Sequence, residues 1–258
     1  MKIAVSGKGG VGKTTLAALL IKYFREHGKK VLAVDADPDA NLAVALGVAD
    51  PSSITPISQM KDLVAERTES NPGSMGGMFK LNPKVDDIPE NYSASVDGVK
   101  LMVMGGVKRG GSGCVCPESV LLRTLITHLV LFRDEVVVMD MEAGIEHLGR
   151  ATAKSVDKLI VVVEPGRRSI ETAQHVQQLA HDIGISMAQV VLVGSKIRNA
   201  ADKEYLLANL AGYTFLGFLP FDEKVIESDL KGVPPYDLSP ESLAAVQEIG
   251  DNLSRMQS

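Results

Sequence analysis

The chain has 258 residues with 27 basic against 32 acidic side chains, a formal charge of −5 that argues against a nucleic-acid binder working through broad positive charge. It is 45% hydrophobic, but aromatics make up only 4% and tryptophan is absent, so the expected core is substantial and aliphatic. Two cysteines exclude a disulfide scaffold, and no apolar run reaches the roughly 18 residues a transmembrane helix needs. The first apolar run, from Ile3, reads as a strand, so no signal peptide is expected, and with only two cysteines a reducing cytoplasm is the expected location. The length suits a single α/β domain spanning 1–258.

Apolar, β-branched runs alternate with helical patterns. Ile3–Val5 reads as the first strand and Lys13–His27 as the first helix, stopped by Gly28. Val31–Val34 is a second strand running into Asp35, Asp37 and Asp39. Leu42–Leu46 is a short helix closed by Gly47, and Thr55–Thr68 a further helix. Asn71–Ser95, with two Asn-Pro pairs and few periodic apolar positions, reads as an irregular excursion. Val99–Met104 returns as a strand. A glycine-rich loop, 105–113, then leads to Cys114-Val115-Cys116 and a helix begun by Pro117 and running to about Leu131.

Further along, Val136–Met139 is a buried strand ending at Asp140, and Ile145–Lys154 is expected to be helical. Strands are predicted at Leu159–Val163, at Val190–Val193 (ending at Ser195-Lys196) and at Thr214–Leu219 (ending at Pro220). Helices are predicted at Ser169–Ile183, Asp202–Leu210, near Asp222–Leu230, and at Pro240–Met256. Strands this apolar, separated by helices, imply a doubly wound, mostly parallel sheet covered on both faces. Such sheets bind ligands at the carboxyl ends of their strands, where Asp37, Asp140 and Lys196 should gather.

The stretch Gly7-Lys8-Gly9-Gly10-Val11-Gly12-Lys13-Thr14-Thr15 sits between the first strand and the first helix, the setting a phosphate-binding P-loop requires. Glycines let the backbone approach phosphate oxygens, and the amides from Gly9 to Thr15 converge on the anion at a helix N-terminus. Lys13 would reach the β- and γ-phosphates, and the Thr14 hydroxyl would ligate Mg²⁺. Lys8 is a second lysine at a position the pattern leaves free. It reads either as a solvated side chain or as a cation supplied in trans to a second subunit's nucleotide. Asp140 closes an apolar strand in the usual form of a Walker B aspartate, which would hold Mg²⁺ through water; the alternative is a turn or capping aspartate. Asp35, Asp37 and Asp39 alternate, and in extended chain would share one side, where three carboxylates repel unless a cation or solvent relieves them.

The run Lys8–Thr15 resembles the deviant P-loop of the MinD/ParA/nitrogenase-iron-protein ATPases, the deviant Walker A (SIMIBI) class of P-loop NTPases. That resemblance implies that Lys8 crosses a dimer interface and that ATP is sandwiched between subunits. It makes the segment after the second strand switch I. There Asp37, directly before proline, matches the residue that positions the attacking water, with an indirect contact of Asp39 to Mg²⁺. Residues 141–147 correspond to switch II, with Gly144 as its hinge. Ser195-Lys196 falls where such families often carry Asn-Lys, so the departure at Ser195 leaves base selectivity open. Leu219-Pro220 resembles the adenine-flanking loop.

Cys114 and Cys116, one residue apart at a loop-to-helix junction, admit three readings: two small residues, a redox dithiol, or half of a metal site. A helix N-terminus favours thiolate, and two chains about a twofold axis would supply an S₄ set. The glycine-rich loop 108–113 before the cysteines, the run 139–157 and the segment Leu81–Asp87 together resemble the CooC-type ATPases. These are accessory proteins for nickel-containing carbon monoxide dehydrogenase, with relatives serving acetyl-CoA synthase. The resemblance implies an ATP-hydrolysing homodimer whose Cys114 and Cys116 share one Ni²⁺ or Zn²⁺ with the partner's pair and whose client is the nickel enzyme. A MinD- or ParA-like positioning or partitioning ATPase is the alternative. The C-terminal helix, with one basic residue against three acidic, is a poor membrane anchor, so neither a membrane nor nucleic acid is expected as a partner.

Overall fold

The computed structural model describes residues 1–70, 78–106, 116–133, 135–142 and 155–256. Eight strands form one sheet: β1 (Lys2–Gly7), β2 (Val31–Ala36), β3 (Ala94–Val96), β4 (Val99–Val103), β5 (Val136–Met141), β6 (Lys158–Val163), β7 (Val190–Ile197) and β8 (Thr214–Pro220). Their order is β3-β4-β2-β5-β1-β6-β7-β8. All neighbours are parallel except the edge pair β3–β4. This is the doubly wound α/β architecture the alternation of strands and helices predicts.

β1, β2 and β5 are buried at every residue because both faces of the sheet are covered. Alternate residues feed two aliphatic cores: Ala4 faces one, Ile3 and Val5 the other. The first helix, Lys13–Glu26, is apolar nearly all round because it lies between the sheet and the C-terminal helix, Pro240–Arg255. The two helices touch closely at Gly250, where a Cβ would lie 2.4 Å from the Tyr23 ring. Val246, Ile249 and Leu253 of the C-terminal helix are fully buried. Ser239 caps that helix through the Ser242 N–H, with proline in its first turn.

Three elements differ from the pattern-based expectation. The helix expected over Thr55–Thr68 is a 3₁₀ turn, Ile57–Gln59, followed by a helix, Lys61–Thr68. The excursion contains a helical turn, Ile88–Asn91, and strand β3. β3 joins β4 through Asp97-Gly98, both at positive φ, the two-residue hairpin turn that Asp-Gly favours. A short helix, Pro235–Leu238, precedes the C-terminal one. The expected helix Ile145–Lys154 lies outside the described residues.

Candidate nucleotide site

β1, β2, β5, β6 and β7 are adjacent and parallel, so their carboxyl ends form one edge. The P-loop leaves β1 there. Gly7 sits at φ 147 with a would-be Cβ 2.6 Å from the Val162 carbonyl oxygen, so only glycine fits against β6. Gly12, at φ 101, faces Ser195 Oγ. The Gly12 carbonyl accepts the Leu16 N–H at 3.0 Å, the first bond of the helix. Lys13 is buried, and its Nζ lies 3.5 Å from the Lys8 carbonyl oxygen, inside its own loop.

Thr14 Oγ1 donates to Asp140 Oδ2 at 2.6 Å. Asp140 is 1% exposed, and its Oδ1 is buried without a hydrogen-bond partner among the described residues. Burial pushes its carboxyl up to about 7; the Thr14 bond opposes this, and the charge of Asp35 adds to it. A hydroxyl beside a buried carboxylate with an unused oxygen suits Mg²⁺, which takes few protein ligands and keeps several waters.

The three aspartates differ in burial. β2 ends at Ala36, so the alternation stops after Asp35. Asp35 is fully buried and accepts the Leu42 N–H at 2.9 Å and the Asp37 N–H at 3.3 Å. Burial pushes it up to about 6 against those two bonds. Asp37 is half-buried and accepts the Asp39 N–H at 3.0 Å, and Asp39 is exposed. Asp35 therefore fixes the loop, while Asp37 is half-buried close enough for its charge to act on Asp35 and Asp140, and Asp39 is exposed.

A cavity of about 340 Å³ opens beside the P-loop, and Gly12, Thr15, Ser195, Lys196, Leu219 and Pro220 all line it. Lys196 holds a left-handed conformation, φ 58, rare for a side-chain-bearing residue and often found at functional sites. Its Nζ donates to the Gly10 carbonyl at 2.6 Å and to Glu164 Oε2 at 3.1 Å. Other lining residues escape the motif reading: Glu164 and Pro165 at the end of β6, and Arg198 over the Phe221 ring at 4.3 Å. Glu164 had a signal, since it closes the apolar run of β6 as Asp140 closes that of β5.

The model of the CobQ/CobB/MinD/ParA nucleotide binding domain matches residues 2–235. The chain belongs to that family. It is a P-loop ATPase of the deviant Walker A class. It is 47% identical to the carbon monoxide dehydrogenase accessory protein CooC of Rhodospirillum rubrum over 93% of this chain and 91% of that protein. An ATP-binding protein of Methanocaldococcus jannaschii is 45% identical over 100% of this chain and 99% of its own length. Among solved structures, the septum site-determining protein MinD of Pyrococcus horikoshii, complexed with Mg-ADP, superposes with a TM-score of 0.68. It does so at 22% identity, covering 99% of this chain and 96% of that one. That likeness concerns the fold.

Cys116 is the residue before the helix Pro117–Phe132 and is half-buried, with Sγ 3.2 Å from Ser119 Oγ. Cys114 and Gly144 lie outside the described residues. No group of three or more metal-ligating side chains occurs among those described. One chain's cysteine pair would in any case supply only half of a tetrahedral set.

Proposed function

We propose that this protein is a cytoplasmic, dimerising ATPase that assists nickel insertion into carbon monoxide dehydrogenase or acetyl-CoA synthase. The observation that carries this reading is the 47% identity to CooC along 93% of the chain. In this chain the Cys114-Val115-Cys116 run follows the glycine-rich loop.

In this reading the P-loop amides and Lys13 hold the phosphates. Thr14 would ligate Mg²⁺ and Asp140 would hold it through water, with Asp39 as a further indirect contact. Mg²⁺ would neutralise charge on the transferred phosphoryl group. Asp37 aligns the attacking water. Lys8 crosses to the partner's nucleotide. Ser195, Lys196, Leu219 and Pro220 frame the base. Closure of the dimer brings two cysteine pairs together, and Cys114 and Cys116 of both subunits hold one Ni²⁺ or Zn²⁺ as cargo. A nucleotide that drives dimerisation must then change affinity for a metal held across the same interface.

The alternative, a positioning ATPase like MinD or ParA, shares the fold. In those roles a membrane anchor or basic surface does the work, whereas here the C-terminal helix packs its apolar face on the sheet. The proposal is tested by activating nickel-deficient carbon monoxide dehydrogenase with Ni²⁺, ATP and this protein. The expected result is activation at lower Ni²⁺ that needs ATP and fails with Cys114→Ala/Cys116→Ala. Equal activation without the protein would overturn it. ATP-dependent sedimentation with liposomes or DNA would favour the alternative.

A further inference from the structure

Glu164 holds two lysines at once. Its Oε1 pairs with Lys8 Nζ at 3.4 Å, and its Oε2 pairs with Lys196 Nζ at 3.1 Å. Lys196 also bonds the Gly10 carbonyl, so one carboxylate ties both edges of the P-loop to the end of β6. The backbone beneath it is fixed. β6 pairs with β1 through Gly7 and Val162, the Glu164 N–H donates to buried Ser169 Oγ at 3.0 Å, and Pro165 follows.

We propose that Glu164 is a positioning residue that parks Lys8 on its own subunit and opposes closure of the ATP dimer. This rests on the reading above in which Lys8 acts in trans. One ammonium cannot sit on Glu164 in its own chain and on a phosphate in the partner's site together. Glu164 is therefore a competitor for Lys8, and dimerisation must break the pair. The second lysine makes release cheap. When Lys8 leaves, Lys196 still faces the carboxylate, so no buried charge is stranded. The pair itself is partly exposed, with side-chain exposures of 38% and 23%, which places it among weak, reversible ion pairs.

The test is sedimentation velocity with Mg²⁺ and a non-hydrolysable ATP analogue on four proteins: wild type, Glu164→Gln, Lys8→Ala and the double variant. A partly exposed pair changes an equilibrium by a factor of about 1.5 to 5, and a twofold dimer releases two such pairs. Glu164→Gln is therefore expected to tighten the dimer about two- to twenty-five-fold. In the Lys8→Ala background the same substitution is expected to change nothing. ADP affinity, measured on monomer, separates any effect passing through Lys196. A wild type that dimerises with the analogue, joined to a Glu164→Gln variant that dimerises no more tightly, overturns the latch alone. So does an equal shift in both backgrounds. If no variant dimerises, Glu164→Gln included, the trans role of Lys8 falls and the latch falls with it. Dimerisation of Glu164→Gln beside a monomeric wild type supports the latch.

Discussion

Thr14 Oγ1 and Asp140 Oδ2 lie 2.6 Å apart, a bond that ties the first turn of the first helix to the end of β5 and leaves Asp140 Oδ1 buried with no partner among the described residues. A carboxylate so placed is costly to ionise without a cation, which is why burial lifts it to about 7. Asp140→Asn is expected to abolish the enhancement of ADP affinity by Mg²⁺ and to lower hydrolysis by about 100-fold or more, since weakened hold on Mg²⁺ costs several kcal/mol. In magnesium-free buffer at pH 8 the same variant should melt no lower than wild type, because it removes a buried charge. Calorimetry with and without Mg²⁺ checks both.

The two lysines of the P-loop should separate by function. Lys13 is buried within its loop, and Lys8 reaches outward to Glu164. Lys13→Ala is expected to lose nucleotide binding to the monomer. Lys8→Ala is expected to keep that binding within about twofold while hydrolysis falls about a thousandfold, the scale of a cation supplied in trans. Equilibrium binding at low protein concentration, beside turnover at high concentration, distinguishes the two.

Asp35 makes stability depend on pH. Its folded-state carboxyl, at about 6, stands above the unfolded value of 3.8, so the folded state binds more protons between those values. Its contribution to stability is therefore fully present below about pH 4 and is lost as pH rises through 6. A shift of this size corresponds to at most about 3 kcal/mol. Asp35→Asn keeps one acceptor for the Leu42 or Asp37 N–H and removes the titration. Relative to wild type, the variant is expected to gain stability on going from pH 4 to pH 8, by urea unfolding in magnesium-free buffer.

Gly7 and Gly9 lie two residues apart in the loop and should respond differently to a methyl group. At Gly7 the added carbon would meet a backbone carbonyl, at a φ that other residues avoid. At Gly9 nothing lies within 4 Å. Gly7→Ala is expected to cost about 1–3 kcal/mol of stability, and Gly9→Ala less than about 0.5 kcal/mol. Urea unfolding of both variants reads the difference.

The parallel strands and the P-loop were legible because each depends on a local pattern: an apolar run, or glycines between a strand and a helix. The Asp97-Gly98 hairpin was equally local, but β3 is only three residues long and partly exposed, so it carries no apolar run. The unequal burial of Asp35, Asp37 and Asp39 was not legible, because alternation describes extended chain and β2 ends at Ala36. Arg198 over Phe221 was out of reach for another reason. Those residues meet because β7 and β8 are neighbours in the sheet, and no spacing along the chain encodes that. Glu164 stood at a strand terminus in plain sight, but its importance comes from the two lysines that converge on it.

Handling of nickel through cysteines shared between subunits is decided by anaerobic Ni²⁺ titration with mass determined on the same samples. Wild type and Cys114→Ala/Cys116→Ala are compared, each with and without ATP. A shared site gives one ion per wild-type dimer, binding that changes with ATP, and loss of that ion in the variant. Unchanged Ni²⁺ binding in the variant would contradict it and reduce both cysteines to structural residues.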